Sequence, residues 1–399
     1  MDTMKDGLRE PPVQEIDVYT DTRQVLDAER RRIARDKLSD LYIVDVDSHH
    51  TETESWNEIL KFIDDPVIRD NALRTQSVRA GNAYLYSPGG GVAHQDVAGR
   101  IPHQASRREK VEEKGVHRDV VLARRAMDTM GIDATILFPT PLLALAEHPQ
   151  ADIMVQLGIG YSRFVTETLL PQEKRLKTMI FLPLADPRAA LEIVHQFADK
   201  PGVVGFLVTG QTPKPVHHND LMPIYAELQE RNLPLAFHAG FNWNDSSMKL
   251  INRFLGMHAL SFVICSLVHM TNWVINGMPE RFPRLKVVWI ESGLAWIPFL
   301  MQRLDNEYMM RSSEAPMLKK PPSEYMRDMF YATQPMERSD LRTLENTMRM
   351  IDAETQLMYS SDWPHWDFDA PSTILDLPFL SDTAKRNILG LNARRVFNL

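Results

Sequence analysis

A single cysteine, Cys265, occurs in the 399 residues, so no disulfide can form within the chain. That excludes a disulfide scaffold, and the expected setting is a reducing one, the cytoplasm. An apolar export run is missing from the N-terminus, and no stretch approaches the ~20 consecutive apolar residues of a membrane span. Charge of one sign is scarce too: 45 Lys and Arg stand against 53 Asp and Glu, a net charge of −8. This balance is too mild, and of the wrong sign, for a nucleic-acid surface. No Gly-rich phosphate turn follows the first predicted strand, where Asp47-Ser48-His49 stands instead; an open nucleotide-binding sheet is thereby disfavoured. What remains is a small-molecule protein with 44% hydrophobic and 25% charged residues, ordinary globular usage.

Residues 1–40 read as a polar tail with Pro11-Pro12 and then a charged helix over 17–39. The helix has a thin apolar stripe through Val18, Val25, Leu26, Ile33 and Leu38. Such a helix packs on a neighbour or a second subunit, so a homodimer is expected. Arg30-Arg31-Arg32 reads as a solvated face.

Residues 41–399 carry eight short β-branched runs, at 41–47, 133–138, 178–182, 203–208, 233–237, 286–290, 329–332 and 357–360. Helix-period stretches such as 187–198 and 221–231 separate most of them. Strands alternating with amphipathic helices imply parallel βαβ units, and eight units imply closure into a (β/α)8 barrel. The 51–132 connection, with its turn-rich 87–102 segment, reads as a lid or substrate-binding insertion. The stretch 241–285 reads as helical.

The chemistry lies where polar residues fall at strand ends. Asp47 and His49 end the first strand, His238 the fifth, Glu291 the sixth, and Asp362 with His365 follow the eighth. Strand C-terminal ends of a barrel converge on one mouth, and an i, i+2 pair such as Asp47 and His49 shares one face of a strand. Singly, each residue is as readily a turn or cap residue, and Ser48, Ser292 and Ser361 cap equally well. Four strand ends with the same signal point to a site for a divalent ion, zinc first, with manganese or iron as alternatives, one ion or two. His50 should face away from His49, and Glu52 and Glu54 are weaker candidates. His269 reads as a buried structural histidine, His217-His218 as surface, and Trp243 as packing or a pocket wall.

The set Asp45-x-Asp47-x-His49, Phe237-His238-Ala239-Gly240 and Tyr359-Ser360-Ser361-Asp362-Trp363-Pro364-His365 resembles the amidohydrolase superfamily. More narrowly, it is similar to the branch holding aminocarboxymuconate-semialdehyde decarboxylase and the γ-resorcylate-type decarboxylases. Arg281–Val288 leading into Glu291-Ser292-Gly293, then Trp296 and Arg303-Leu304-Asp305, fits the same branch. The resemblance implies a metal held by Asp47, His49, His238 and Asp362, with Asp362 also taking up a proton. Two departures stand out: Asp47 at the first-strand pair, and Glu291 where the decarboxylases carry a histidine. Glu291 can serve as general acid/base or as a further metal ligand, and His365 as a proton carrier.

A third anion beside a substrate carboxylate would hinder its binding. Hydrolysis of a small organic acid, ester, thioester or lactone by a metal-activated water is therefore the leading expectation. Decarboxylation of an aromatic or unsaturated acid is the alternative, with Arg69 or Arg79 as the carboxylate clamp it would need. A catalytically dead barrel used as a scaffold is disfavoured by the intact set of carboxylates and imidazoles.

Overall fold

In the computed structural model, eight parallel strands pair in sequential order. They are β1 (Val44–His50), β2 (Ala134–Pro139), β3 (Leu176–Phe181), β4 (Val203–Thr209), β5 (Leu235–His238), β6 (Val287–Ile290), β7 (Phe330–Ala332) and β8 (Leu357–Met358). Residues 21–36, 40–52, 54–76, 109–240, 245–248, 250–251, 253–365 and 367–399 are described. The Pro11-Pro12 tail, Arg79, the 87–102 segment and Trp243 lie outside them. The (β/α)8 expectation holds, with every predicted strand found within a few residues of its place.

Two apolar layers build the barrel. Val44, Val46, Ile136, Phe138, Leu207, Val288, Ile290 and Met358 fill its interior, while alternate residues such as Ile43, Leu137, Phe206 and Trp289 face the surrounding helices. Period-2 alternation divides side chains between these layers. In β1 the rule breaks once. Asp45 pairs with Thr135 and Ser48 with Leu137, so three steps on β1 match two on β2. This bulge turns Val46 and Asp47 to the same side, interior and mouth.

Helix ends follow from sequence. Helix α1 (Arg118–Met130) starts at His117, whose side chain accepts from Asp119 N, and stops at Gly131 with φ 70°. Helix α2 (Pro187–Phe197) is capped by Asp186 and begins with proline. Helix α3 (Phe254–Ile275) is long and apolar enough to cross a membrane by length and composition, a property the run-length reading passed over. Met257, Met270, Trp273 and Val274 on it are buried in the barrel's outer layer.

The N-terminal helix, Asp27–Asp36, sits on its own chain. Arg32 forms a two-pronged pair with Asp376 at 2.7 Å, and Ile33 lies against Gly131. Leu26 and Ile33 of the predicted stripe pack within the protomer, while Val18 and Leu38 lie outside the described residues.

Near the C-terminus, Gly390 passes so close to β1 that a Cβ would fall within the Tyr42 carbonyl oxygen. Backbone cannot yield as a flexible side chain does. Gly390→Ala should cost about 3 kcal/mol or more, read as a lowered urea midpoint.

Candidate metal centre

Asp47, His49, His238, Glu291, Asp362 and His365 are all buried at the C-terminal end of the barrel. Donor atoms of Asp47, His49, His238 and Glu291 lie within 4.8 Å of one another, as do those of His49, Glu291, Asp362 and His365. Six candidates from four strand ends therefore form one cluster.

Hydrogen bonds orient the two central histidines. His49 donates from Nδ1 to the Pro139 carbonyl at 2.8 Å, and His238 does so to the Ala239 carbonyl at 2.7 Å. Each ring is thus left with Nε2 turned inward. His49 Nε2 stands 3.2 Å from Asp47 Oδ1 and 3.1 Å from Asp362 Oδ1. His238 Nε2 stands 3.3 Å from Asp47 Oδ1. A carbonyl behind the ring and carboxylates before it is the setting of a metal-ligating histidine. Asp47 Oδ2, Asp362 Oδ2, Glu291 Oε2 and His49 Nε2 are buried without hydrogen-bond partners. Such orphaned atoms are costly unless a cation meets them, and a mixed nitrogen and oxygen set suits a divalent ion. The residues fit the group.

The cluster's field attracts positive charge. Burial opposes a charged His49, yet Asp362 and Asp47 outweigh it and hold its pKa well above the ordinary range. Burial likewise opposes ionisation of Asp47, but His238 and His49 keep it well below the usual carboxylate range. Glu291 goes the other way: burial and the Asp362 charge push it far up. Burial and the nearby charge of His49 keep His365 neutral. It donates from Nδ1 to Asp362 Oδ1 at 2.7 Å and accepts from Thr140 Oγ1 at 3.3 Å.

Two of the residues have left-handed backbone, Glu291 at φ 57° and Asp362 at φ 62°. For a glutamate this is an uncommon, strained state that its surroundings must hold. Glu337 does part of that, accepting from Leu294 N at 2.9 Å and Ala295 N at 3.2 Å. Gly293, at φ 69°, leaves room for it.

Other candidates go elsewhere. His50 faces outward and pairs with Asp119 at 2.8 Å. Glu52 accepts from Thr140 N and Leu142 N, capping the turn after β2. His269 donates to the Gly210 carbonyl, and His218 caps a short turn. Arg69 donates to the Ile63 carbonyl at 3.1 Å and so is no clamp. Ser48 and Ser361 bond across the β1–β8 seam. Sequence reasoning missed His258, which α3 brings within 3.5 Å of Asp367 Oδ2. It also passed over Asp367 and Asp369, although both continue the eighth-strand motif. Arg338 pairs with Asp369 at 3.0 Å.

The amidohydrolase family matches residues 117–399. The chain belongs to that family. This amidohydrolase is 24% identical over 285 residues to the γ-resorcylate decarboxylase of Rhizobium sp. (strain MTP-10005), covering 69% of this chain and 86% of that one. It is 22% identical over 288 residues to the enzyme of the same name from Rhodococcus jostii (strain RHA1), with the same coverage. Among solved structures, the amidohydrolase is similar in fold to a dihydroxybenzoic acid decarboxylase from Polaromonas sp. JS666 with bound manganese and 2-nitroresorcinol. That match has a TM-score of 0.64 at 17% identity over 90% of this chain and 97% of the other. A 5-carboxyvanillate decarboxylase from Novosphingobium aromaticivorans, holding manganese and 4-hydroxy-3-methoxy-5-nitrobenzoic acid, gives 0.66 at 19% identity, with coverages of 90% and 97%.

These relatives overturn the expectation of a hydrolase, since those named for an activity are decarboxylases. The expectation rested on Glu291 as an added negative charge. Burial and the Asp362 charge push that carboxyl group's pKa well up, which favours its protonated form and weakens the objection. The preference for zinc also loses ground, because both solved neighbours hold manganese.

A separate acid stands on the turn after β2. Burial, with Asp245 adding to it, raises Glu147 from near 4.5 to about 8, and its Oε1 is buried without a partner. An acid raised on folding costs nothing below its unfolded pKa. The cost grows between about pH 4.5 and pH 8 and is constant above that. Glu147→Gln should therefore raise the thermal midpoint at pH 8 and leave it nearly unchanged at pH 4, as calorimetry at the two values would show.

Proposed function

We propose that this amidohydrolase is a metal-dependent, non-oxidative carboxy-lyase acting on a hydroxylated benzoic acid. The observation that carries the reading is a buried cluster in which His49 Nε2 lies 3.2 Å from Asp47 Oδ1 and 3.1 Å from Asp362 Oδ1, and His238 Nε2 lies 3.3 Å from Asp47 Oδ1, in a chain aligned to γ-resorcylate decarboxylases over 86% of their length. When bound, a divalent ion, manganese by analogy with the solved neighbours, would supply fixed positive charge that draws in the substrate's carboxylate and adjacent oxygen. Asp47, His49, His238 and Asp362 are its proposed ligands.

The chain's own work is to bind, exclude water and move one proton. Glu291 carries that proton, and its Oε2 is held 3.4 Å from His238 Nδ1. Delivered to the ring carbon that bears the carboxylate, the proton forms a C–H bond. The C–C bond to the carboxylate then breaks, carbon dioxide leaves, and the electron pair restores the aromatic ring. Glu291 regains its proton from solvent. His365 holds the Asp362 carboxylate in place and is itself fixed by Thr140.

The reading is tested by incubating purified protein and Mn²⁺ with 2,6-dihydroxybenzoate and 5-carboxyvanillate, alongside a panel of esters and lactones. Carbon dioxide equal to the phenol formed from a hydroxybenzoate is the expected result. Turnover of an ester or lactone with no hydroxybenzoate decarboxylated would overturn it.

A further inference from the structure

The barrel's last seam is unusual. Strand β8 is two residues long. Among the described residues β1 is joined to it and to the segment that follows it by one bridge, Ser48 to Trp363, and by backbone bonds from Val46 N to the Tyr359 carbonyl, Asp362 N to the Asp47 carbonyl and His49 N to the Trp363 carbonyl. A carboxylate supplies much of what a ladder would. Asp45 is buried on β1, immediately before the bulge. Its Oδ1 accepts from Ser361 N at 2.8 Å and from Asp47 N at 3.1 Å. Its Oδ2 accepts from Ser361 Oγ at 2.5 Å and from Thr135 Oγ1 at 3.3 Å.

Those four donors come from β1, β2 and the segment after β8. One belongs to Asp47 and two to the residue before Asp362. Asp362 N then donates to the Asp47 carbonyl at 2.8 Å, which closes a ring of contacts. Trp363 N donates to Ser361 Oγ at 3.0 Å, and His49 N donates to the Trp363 carbonyl at 2.6 Å. Three of the four proposed ligands, Asp47, His49 and Asp362, thus hang on the network that Asp45 anchors. The residue type follows from the donors. A carboxylate has two acceptor oxygens for the four donors, whereas an asparagine offers one and turns N–H groups toward other donors; burial raises the Asp45 pKa to about 7.

We propose that Asp45 is the positioning residue of the metal centre. By tying the β1 bulge to the turn after β8, it fixes the spacing of the Asp47 and Asp362 carboxylates while touching neither ion nor substrate. The inference rests on reading those two residues as ligands, and it adds a requirement that the ligand set alone does not contain.

The test uses full-length protein stripped of metal and titrated with Mn²⁺, reading affinity and the electron paramagnetic resonance spectrum of the bound ion. Asp45→Asn should weaken binding by about 10- to 100-fold, the usual cost of losing a group that orients a ligand, and should change the zero-field splitting. Asp362→Asn should bind more weakly still. A purely structural role would lower the thermal midpoint of the metal-free Asp45→Asn protein yet leave its Mn²⁺ affinity and spectrum as in wild type; that outcome overturns the proposal. Wild-type affinity in Asp362→Asn would sink the ligand reading first and the proposal with it. Should Asp45→Asn fail to fold, Ser361→Ala removes only the hydroxyl. Weaker Mn²⁺ binding there supports the role, and unchanged binding refutes it.

Discussion

Asp362→Asn should abolish carbon dioxide release while the barrel stays folded. Asp362 presents Oδ1 to both His49 and His365, and its Oδ2 is buried with no partner. Asparagine keeps the shape but replaces a charged donor oxygen by an amide. Loss of a group that merely orients a ligand costs 10- to 100-fold, so loss of a ligand should cost on the order of 1000-fold or more in turnover. Metal content should fall in parallel, measured by elemental analysis beside circular dichroism. Stability need not suffer, because the wild-type carboxyl group is raised to about 6 by burial and already sits there at a cost. Retained activity with a full complement of metal would remove Asp362 from the site.

Glu291→Gln should have the next largest effect and a different signature. The substitution keeps size and hydrogen-bonding shape but removes the proton to be delivered. Proton transfer by a positioned group contributes roughly 10²- to 10⁴-fold, so kcat should drop in that range with KM little changed. Metal should remain if Asp47, His49, His238 and Asp362 are the ligands, as proposed. Loss of the ion in this variant would instead make Glu291 a further ligand. Because glutamine places no ionisable group in the buried cluster, the thermal midpoint should hold or rise. A large fall in midpoint would show that the strained turn at φ 57° depends on the carboxyl group itself.

The strands could be read from sequence because each is a short β-branched run closed by polar residues, and the residues of the buried cluster could be read because they sit where those runs stop. What escaped has a physical reason in each case. The bulge in β1 leaves no mark in composition, so nothing in the sequence set Asp45 apart from the Asp47 and His49 pair. His258 lies in an apolar helix far along the chain from its partner Asp367, and only folding brings them together. Glu291 was seen as a candidate but misjudged as a plain added charge, because burial and the Asp362 field, which push its pKa up, act in space and not along the chain. That misjudgement favoured hydrolysis over decarboxylation.

The seam between β8 and β1 bears on how the protein breathes. Where other neighbouring strands share a run of paired residues, this seam has one bridge, three backbone bonds and a knot of side chains, and the same knot carries three proposed ligands. Local opening there and escape of the ion are one event. The amide hydrogens of Val46, His49 and Asp362, which all bond across this seam, should exchange with deuterium at a rate set by metal occupancy. Those of β3 and β4, on the far side of the barrel, should not notice whether the ion is present.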